Sequence, residues 1–316
     1  MINEKIKLPI IAGPTASGKS SLALAVAQEL DGEIVSCDSM QIYKRMNIGT
    51  AKPTDEEMRL VRHHMIDVVE PHESFSCADY ARLASAAIED IVSRGKTPIV
   101  CGGTGLYLDA LLRGGMPECS DSDPAYREEM TRLAAEKGNE YVHAILRELD
   151  PESADAIHPN NVKRVVRALE ICHVTGRKKS DIDRENSSLD SVYDTRGVWL
   201  CHKNRDVLYS RIEKRIDIMI GDGLLDEVRA LDSEGIFEKS KTAAGAIGYK
   251  ELLTYLRGET SLDEAVADLK TATRRYAKRQ ITWFSSKPYM QKIELEDEIN
   301  EKILKNIVKN VCKHFK

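Results

Sequence analysis

The sequence predicts an α/β fold with a parallel sheet and an all-helical insertion, and three observations indicate it. Short apolar segments alternate with segments of helical periodicity through about residue 113, which is the order that a parallel sheet requires. A glycine-rich phosphate-binding pattern directly follows the first apolar segment. Strand patterns are then absent from 114 to 196, where helical patterns follow one another.

The elements follow in order along the chain. Segments typical of strands lie at 8–12, 33–36, 97–101 and 197–202. Segments with helical periodicity lie at 19–30, 77–94, 104–113, 124–137, 140–149 and 161–175, and the remainder from 205 to 285 is helical with turn signals at 221–223, 235 and 258. A polar stretch at 180–194 precedes the last strand. We therefore expect a core of 1–117 and 197–316, and a helical insertion of 118–196.

Composition indicates a globular protein and excludes several other classes. The chain has 316 residues, of which 42% are hydrophobic and 31% charged, as in ordinary soluble domains. No apolar run approaches the ~20 residues of a membrane span, and the N-terminal sequence lacks a signal-peptide pattern. The seven cysteines contain no C-x-x-C pair, which favours reduced thiols over disulfides or a zinc cluster. We expect a cytoplasmic protein.

Residues 13–20, GPTASGKS, match the pattern G-x-x-x-x-G-K-[ST]. Glycines let the backbone turn its N–H groups inward around phosphate oxygens. Lys19 adds a point charge, Ser20 offers a hydroxyl for Mg²⁺, and the following helix presents its positive end to the anion. The loop therefore predicts binding of a polyphosphate group.

The position of the nearest acid argues against routine nucleotide hydrolysis. ATP-using enzymes of this kind carry a metal-binding acid at the end of a second central strand. The segment 97–101 instead runs into the glycine-rich turn 102–107 without an acid, whereas Asp38 follows the earlier strand 33–36. An isolated Asp at such a place is otherwise typical of a turn or a helix cap.

Two basic segments are present although the net charge is −5. Residues 160–180 contain six bases and one acid, and residues 270–280 contain five bases and no acid. In the second segment bases recur four residues apart, so they share a helix face. A solvated helix face explains either segment alone. Both together with a phosphate-binding loop favour a nucleic-acid partner.

Several unusual strings in fixed order carry a family resemblance. They are GPTASGKS (13–20), DSMQIYKRMNIGTAKP (38–53), HHMIDVVEP (63–71), GGTGLYLDALL (102–112), HPNNVKRVVRALE (158–170), AIGYKE (246–251) and KRQITWF (278–284). The chain resembles the bacterial tRNA dimethylallyltransferases, also called tRNA isopentenyltransferases. The resemblance implies a P-loop nucleotide-kinase-like core with a helical insertion. It also implies transfer of a dimethylallyl group from its diphosphate to the N6 amine of the adenosine just 3′ of the anticodon in tRNA.

The resemblance implies roles for particular residues. Diphosphate binding falls to Gly13, Thr15, Ala16, Ser17, Gly18, Lys19, Ser20, Arg211 and Arg215. Catalysis falls to Asp38 as general base, to Thr104 beside the acceptor, and to Lys19 and Arg215 together with Mg²⁺ on Ser20. Arg211 is the reserve for Arg215, since both lie on one helix face; the alternative is a surface helix in which Arg215 pairs with Glu213 and Asp217.

The same resemblance implies contacts with the tRNA anticodon stem-loop. These fall to Asp38, Ser39, Met40, Gln41 and Thr104 around an extruded adenosine, and to Arg127, Lys163, Arg164, Arg167, Arg274, Arg275, Lys278 and Arg279. The helix containing the last four serves either RNA phosphates or the core, and we expect Trp283 and Phe284 to pack in the core.

Two other functions stay open on the residues alone. A small-molecule or nucleotide kinase would explain the loop and Asp38, but it gives no role to the basic segments or the insertion. An RNA-binding module whose loop holds a regulatory nucleotide would leave Asp38 and Thr104 without a role. For the prenyl-transfer hypothesis the expected partners are dimethylallyl diphosphate and tRNA, with the enzyme a monomer.

Overall fold

The computed structural model describes residues 5–115, 122–188, 191–296, 301–313 and 315. The chain so described divides into two compact units. The first contains Met1–Phe75, Tyr80–Leu112 and Tyr193–Lys316, and the second contains Ser76–Asp79 and Arg113–Val192. The predicted boundary after residue 117 lies outside the described residues, and the one after residue 196 lies inside a strand.

The first unit is built on a parallel sheet. Its strands within the described residues are β1 (Lys7–Ala12), β2 (Gly32–Cys37), β3 (His63–His64), β4 (Thr97–Gly102), β5 (Asp194–His202) and β6 (Met290–Leu295), in the order β3-β2-β4-β1-β5-β6. Central strands of such a sheet are covered on both faces and therefore have continuous apolar sequences. In β1, β2 and β4, every residue after the first is buried.

The ends of three central strands are level. Ala12 of β1 pairs with Gly102 of β4, and Gly102 pairs with Cys37 of β2. Because the strands are parallel, the segments that follow them leave the sheet along the same edge, where ligands of open α/β sheets bind. This register brings the 13–20 loop, Asp38 and the turn at Thr104 to one place.

Helices cover the sheet and extend the first unit. They are α1 (Lys19–Glu29), α2 (Asp55–Leu60), most of α3 (Cys77–Ser93), α4 (Gly105–Leu112), α10 (Arg205–Gly221), α11 (Leu224–Ser233), α12 (Ile236–Lys239), α13 (Lys241–Ala244), α14 (Tyr249–Leu256), α15 (Leu262–Ser285) and α16 (Glu301–Cys312). One apolar cluster joins α1 and α16 to the sheet around Leu22 and Ile11. Another joins α10, α11, α14 and α15 around Ile212 and Tyr249.

Within its described residues, the regular secondary structure of the second unit consists of helices. Its helices after the first turn of α3 are α5 (Pro124–Lys137), α6 (Asn139–Leu149), α7 (Pro151–Ala156), α8 (Val162–Thr175) and α9 (Lys179–Ser188). Val142 and Val165, both fully buried, belong to the core between α6 and α8. Asp150 caps α7 by accepting a hydrogen bond from the Ser153 amide at 3.1 Å, and it also accepts one from the Ser180 amide at 2.8 Å.

The four predicted strands and the predicted helices are confirmed, and each of their ends lies within three residues of the predicted position. Two strands escaped prediction: β3, which has only two residues, and β6, in which only the first and last residues are buried. Helix α9 occupies most of the stretch expected to be merely polar. Among the described helices, none is both long enough and apolar enough to cross a membrane.

Candidate active site

The 13–20 loop makes a tight turn between β1 and α1. Gly13, Ala16 and Gly18 have φ angles of 152°, 62° and 92°, values that favour glycine. A Cβ at Gly13 would lie 2.7 Å from Ser17 Oγ, so the loop closes only without a side chain there. Gly18 directly precedes α1, and the unpaired amides of the first turn therefore face the loop.

Lys19 turns its ammonium group back toward the loop. Its Nζ donates to Pro14 O at 3.4 Å. Burial lowers the pKa of Lys19, and the charge of nearby Arg215 adds to this effect, while Asp38 opposes it. Two cations held close together favour binding of an anionic ligand between them.

Two arginines of α10 approach the loop. Arg211 Nε donates to Ala16 O at 2.8 Å, which fastens the helix to the loop. Arg215, one turn later, lines the cavity described below. Burial lowers the pKa of Arg215, while nearby Asp38 raises it.

The acids beside Arg215 on α10 pair with α15 instead. Glu213 forms an ion pair with Arg274, and Asp217 binds Lys270 Nζ at 2.6 Å. The alternative in which Arg215 pairs with these two acids on a surface helix is therefore not observed. The same contacts engage two bases of the 270–280 segment within the protein.

The turns after β2 and β4 are interlocked. Asp38 Oδ1 accepts a hydrogen bond from the Met40 amide at 2.9 Å. Thr104 Oγ1 accepts one from the Ser39 amide at 3.0 Å, and the Thr104 amide donates to Cys37 O at 3.1 Å. Thr104 thus fixes the backbone beside Asp38, and it is not among the described residues that line the large cavity.

Helix α15 presents one face to the site. Thr273, Tyr276 and Gln280 line the cavity at helical spacing. Burial and the nearby Asp38 raise the pKa of Tyr276, and the Thr104 side chain opposes this rise. Gln280 is only 5% exposed.

The two glycines of the turn after β4 permit close packing against α15. A Cβ at Gly103 would lie 2.2 Å from Gln280 Nε2, and one at Gly105 would lie 2.2 Å from the Trp283 ring. Trp283 meets Phe284 edge to face at 4.8 Å between ring centroids, and Phe284 is 1% exposed. The prediction of core packing is confirmed for Phe284, whereas Trp283 is only partly buried and lies against Gly105.

These elements enclose a cavity of about 490 Å³. Its polar lining includes Thr15, Lys19, Ser20, Asp38 and Arg215. Its apolar lining includes Ile212, Ile216, Met219, Leu224, Ile247 and Leu269. Because the apolar residues of α10 lie within one helical turn of Arg215, the cavity suits a ligand that joins an anionic group to a short apolar group.

Comparison with known proteins identifies the family. The sequence model of the IPP transferases matches residues 41–287. The chain belongs to the IPP transferase family. It is 50% identical over 286 residues to the tRNA dimethylallyltransferase of Bacillus pumilus (strain SAFR-032), covering 90% of this chain and 89% of that protein. It is 48% identical over 291 residues to the enzyme of the same name from Geobacillus thermodenitrificans, covering 92% and 91%.

Solved structures agree with this assignment. The tRNA isopentenylpyrophosphate transferase of Bacillus halodurans is 42% identical, with a TM-score of 0.73 over 98% of this chain and 96% of that one. A eukaryotic dimethylallyltransferase acting on tRNA is 30% identical, with a TM-score of 0.79 over 96% of this chain and 80% of that one. This IPP transferase is therefore a transferase enzyme of the tRNA dimethylallyltransferase type, with the α/β fold expected.

The predicted site residues of this IPP transferase fall into two groups within the first unit. Those lining the cavity are Thr15, Ala16, Lys19, Ser20, Asp38, Ser39, Met40, Gln41, Arg215 and Arg279. Those that do not line it are Gly13, Ser17, Gly18, Thr104, Arg211, Arg274, Arg275 and Lys278. Of the latter, the loop residues, Thr104 and Arg211 support the lining, and Arg275 and Lys278 are exposed.

The predicted RNA-binding residues of the second unit differ in their contacts. Glu170, fully buried, accepts hydrogen bonds from Arg127 Nε at 2.7 Å and from Arg167 at 2.6 Å. Lys163 and Arg164 are exposed on α8. Arg127 of α5 and Arg167 of α8 therefore bind one shared carboxylate within the second unit.

Sequence reasoning missed the site roles of Tyr276 and Gln280. The signal lay in the spacing of Thr273, Tyr276 and Gln280, which recur at three and four residues on an otherwise basic helix. Lys52, which also lines the cavity, was missed as well. Lys52 lies in the segment 38–53 that carries the family resemblance, but no local sequence pattern indicates that its side chain reaches the cavity.

Proposed function

We propose that this IPP transferase moves the dimethylallyl group of dimethylallyl diphosphate to the N6 amine of the adenosine 3′-adjacent to the anticodon in tRNA. The products are N6-(dimethylallyl)adenosine and diphosphate. The observation that carries the proposal is the meeting of Lys19, Asp38 and Arg215 at one cavity with an apolar lining. The names of the relatives, which specify tRNA and a dimethylallyl or isopentenyl group, support it.

The leaving group is the first chemical problem. The bond between C1 of the allyl group and its oxygen breaks, and the electron pair goes to the diphosphate. Lys19, Arg215 and the amides at the start of α1 favour the charge that grows there more than they favour the substrate. Burial lowers the pKa of both Lys19 and Arg215, and a neighbouring cation adds to the effect in each case, Arg215 for Lys19 and Arg211 for Arg215, as expected for cations arranged to share one anion.

The donor set fits a magnesium ion that arrives with its substrate. The described residues contain no group of three or more His, Cys, Asp or Glu side chains able to hold a metal ion, and Ser20 offers a hydroxyl oxygen in the cavity lining. Mg²⁺ commonly binds through one or two protein oxygens, with waters and phosphates as its other ligands. Ser20 would hold it, and it would offset charge on the diphosphate.

The acceptor amine is a poor nucleophile because its lone pair is delocalised into adenine. Asp38 Oδ1 is held by the Met40 amide, and Oδ2 has no hydrogen-bond partner in the described part of the chain. As the N6–C1 bond forms, Asp38 accepts the N6 proton as a general base. The carboxylate becomes a carboxylic acid, and the nitrogen ends neutral.

The apolar lining accounts for the five-carbon group. Ile212, Ile216 and Met219 recur at helical spacing on α10 beside Arg215. Leu224 and Leu269 complete this lining from α11 and α15. A pocket of this kind distinguishes chain length by only ~1–3 kcal/mol per methylene, so closely related allylic diphosphates are expected to bind too.

The acceptor base must leave the anticodon loop to reach Asp38, as in other enzymes that modify a base. Ser39, Met40 and Gln41 follow Asp38 in the chain and line the cavity with it. The guanidinium of Arg279 lies 5.6 Å from the centroid of the Tyr276 ring, a cation–π arrangement. Exposed bases of α8 and α15, including Lys163, Arg164, Arg275 and Lys278, contact phosphates of the stem-loop.

The test is transfer of label from dimethylallyl diphosphate to an unmodified anticodon stem-loop RNA, with Mg²⁺ and without ATP. We expect label at N6 of the adenosine next to the anticodon, located by nuclease digestion and mass spectrometry. The control RNA carries guanosine at that position and should remain unlabelled. An absence of label, with ATP consumed when a small hydroxyl acceptor is added, would move the protein to the kinase class.

A further inference from the structure

Glu227 of α11 binds three consecutive backbone amides. Its carboxylate accepts hydrogen bonds from the amides of Asn47 at 2.9 Å, Ile48 at 2.8 Å and Gly49 at 3.1 Å. Successive amides that converge on one anion form a nest, usually occupied by a ligand. Here the protein's own carboxylate occupies the nest, so the backbone of residues 47–49 is fastened to α11.

Tyr249 completes the contact from α14. Its hydroxyl donates to Glu227 Oε1 at 2.6 Å, and the residue is fully buried. A Cβ at Gly49 would lie 2.5 Å from the Tyr249 ring, so the backbone approaches this ring as closely as it does only because residue 49 is glycine. Burial, together with the charge of Glu227, raises the pKa of Tyr249, which keeps the hydroxyl protonated as the donor.

The fastened backbone belongs to residues 38–53, which we call the acceptor segment. Arg45 and Ala51 of this segment have φ angles of 62° and 50°, which non-glycine residues adopt at a cost. Lys52 Nζ donates to Tyr43 O at 2.6 Å and pairs with Asp67. The strained conformation is thus held from two sides, by Glu227 and by Lys52.

The hold extends to the reacting groups. Gln41 Nε2 donates to Thr50 O at 3.2 Å and to Ala51 O at 3.0 Å, so the two ends of the acceptor segment are joined. Residues 38–41 and 49–53 both line the cavity. Displacement of the backbone at 47–49 would therefore shift Gln41 and, through it, the turn that carries Asp38.

We propose that Glu227 is a positioning residue for the acceptor adenosine: from outside the cavity it holds the acceptor segment in the conformation that places Asp38 and its neighbours against the base. The inference rests on the proposed function. It separates the two substrates, because the hydrogen bonds of Glu227 within the described part of the chain go to the acceptor segment and to Tyr249, and none goes to the 13–20 loop that faces the diphosphate.

The experiment compares Glu227→Gln with the wild-type full-length enzyme. The substitution removes the negative charge of the carboxylate. It also replaces one acceptor oxygen by an NH2 group, a donor that then faces the backbone N–H donors. We expect KM for the stem-loop RNA to rise about tenfold and kcat to fall, because a charge-assisted hydrogen-bond set is lost. KM for dimethylallyl diphosphate should change less than about twofold, because the hydrogen bonds of Glu227 go to the acceptor segment and to Tyr249. Hydrogen exchange at the amides of residues 47–49 should accelerate.

Glu234→Gln is the matched control. Glu234 follows the same helix and also contacts the acceptor segment, but through an exposed pair with Arg45. Such pairs contribute little, so all parameters should stay near those of wild type. Tyr249→Phe removes one hydrogen bond to Glu227 and keeps the ring, so it should repeat the effect of Glu227→Gln in weaker form. It replaces Glu227→Gln in the experiment if Glu227→Gln does not fold.

Two outcomes would overturn the inference: equal rises of KM for both substrates, or kinetics of Glu227→Gln that match those of Glu234→Gln. RNA binding is also measured by titration without the diphosphate, so the result does not depend on transfer. A wild-type enzyme that binds RNA but transfers no label would contradict the proposed function. In that case weaker RNA binding by Glu227→Gln would still support its positioning role.

Discussion

The Gln280 side chain and the Thr15 backbone, 265 residues apart in the chain, are joined by a hydrogen bond of 2.9 Å from the Thr15 amide to Gln280 Oε1. The other end of the same side chain donates to Gly103 O at 3.0 Å. One buried amide therefore sets the distance between the 13–20 loop and the turn after β4. Groups that stabilise a transition state act best when they are held in place before the reaction.

Replacing Gln280 by Leu should lower both stability and activity. The change leaves the Thr15 amide and the Gly103 carbonyl without partners, and each unsatisfied buried group costs about 1–3 kcal/mol. Urea denaturation measures the free energy of unfolding, and label transfer measures kcat/KM. The control is Gln291→Leu at an exposed position of β6, expected to change stability by no more than about 0.5 kcal/mol. Similar values for the two variants would contradict this role for Gln280.

Replacing Arg215 by Gln should slow transfer by about 10²–10³-fold, the usual effect of removing one group that stabilises transition-state charge. Affinity for the stem-loop RNA should be retained, because Arg215 faces the proposed diphosphate. Lys214→Gln on the exposed side of the same helix removes the same charge and should leave the rate nearly unchanged. Single-turnover kinetics make the comparison, and a Lys214 effect as large as that of Arg215 would indicate a long-range charge effect.

Replacing Asp38 by Ala should abolish measurable turnover while RNA affinity remains largely intact. General bases contribute about 10²–10⁴-fold to a rate, and the variant loses the only group we assign to proton acceptance. Rates come from label transfer and affinities from RNA titration. A variant with nearly wild-type turnover would show that another group takes the proton.

The lowered pKa of Lys19 predicts an alkaline limit to diphosphate use. Because burial depresses this pKa, the ammonium loses its proton at a lower pH than an ordinary lysine, and its attraction for the anion is lost with it. Thus kcat/KM for the diphosphate should fall as pH rises toward about 10, the range in which free lysine titrates. Lys19→Arg keeps its charge at all these pH values, so its profile should lack this limb.

Asp150 predicts an acid limit to stability. Burial would raise its pKa, but hydrogen bonds from Ser153 and Ser180 prevail and lower it to about 2. A depressed folded-state pKa stabilises the protein above the unfolded value of about 4, and that stabilisation is lost as pH falls toward 2. Asp150→Asn should lack this part of the acid sensitivity in urea titrations at several pH values.

The control for Asp150 is Asp155→Asn on the same helix, α7. Asp155 is 69% exposed on its side chain and pairs with Arg147 at the surface. It should keep the wild-type acid profile, because exposed pairs contribute little to stability. An Asp150→Asn variant with the same profile as wild type would contradict the assignment.

The sequence was sufficient to predict the central strands, the 13–20 loop and the position of Asp38 after a strand, because each depends on a local pattern. Buried parallel strands have continuous apolar sequences, and a phosphate-binding loop needs glycines at fixed spacing. Strand β6 was not predicted because it lies at the edge of the sheet and has no continuous apolar sequence. Its four middle residues are exposed or half-buried, namely Gln291, Lys292, Ile293 and Glu294.

The contacts between distant segments could not be predicted. Whether Arg215 would pair with its neighbouring acids or face a cavity depended on where α15 placed Arg274 and Lys270. The partners of Glu227 are backbone amides, which leave no trace in the identity of Asn47 or Ile48. Tertiary packing decides such pairs, and side-chain type does not reveal it.

The level ends of β1, β2 and β4 set a limit on how genes of this kind can vary in length. One residue of strand spans about 3.3 Å, more than a hydrogen bond. An insertion or deletion ahead of Ala12, Cys37 or Gly102 that shifted one strand would move one group of the site out of reach of the others and turn its side chains to the opposite face. Insertions and deletions are therefore tolerable only in the connections between the elements. The strands supply none of the reacting groups, but their lengths determine where those groups lie.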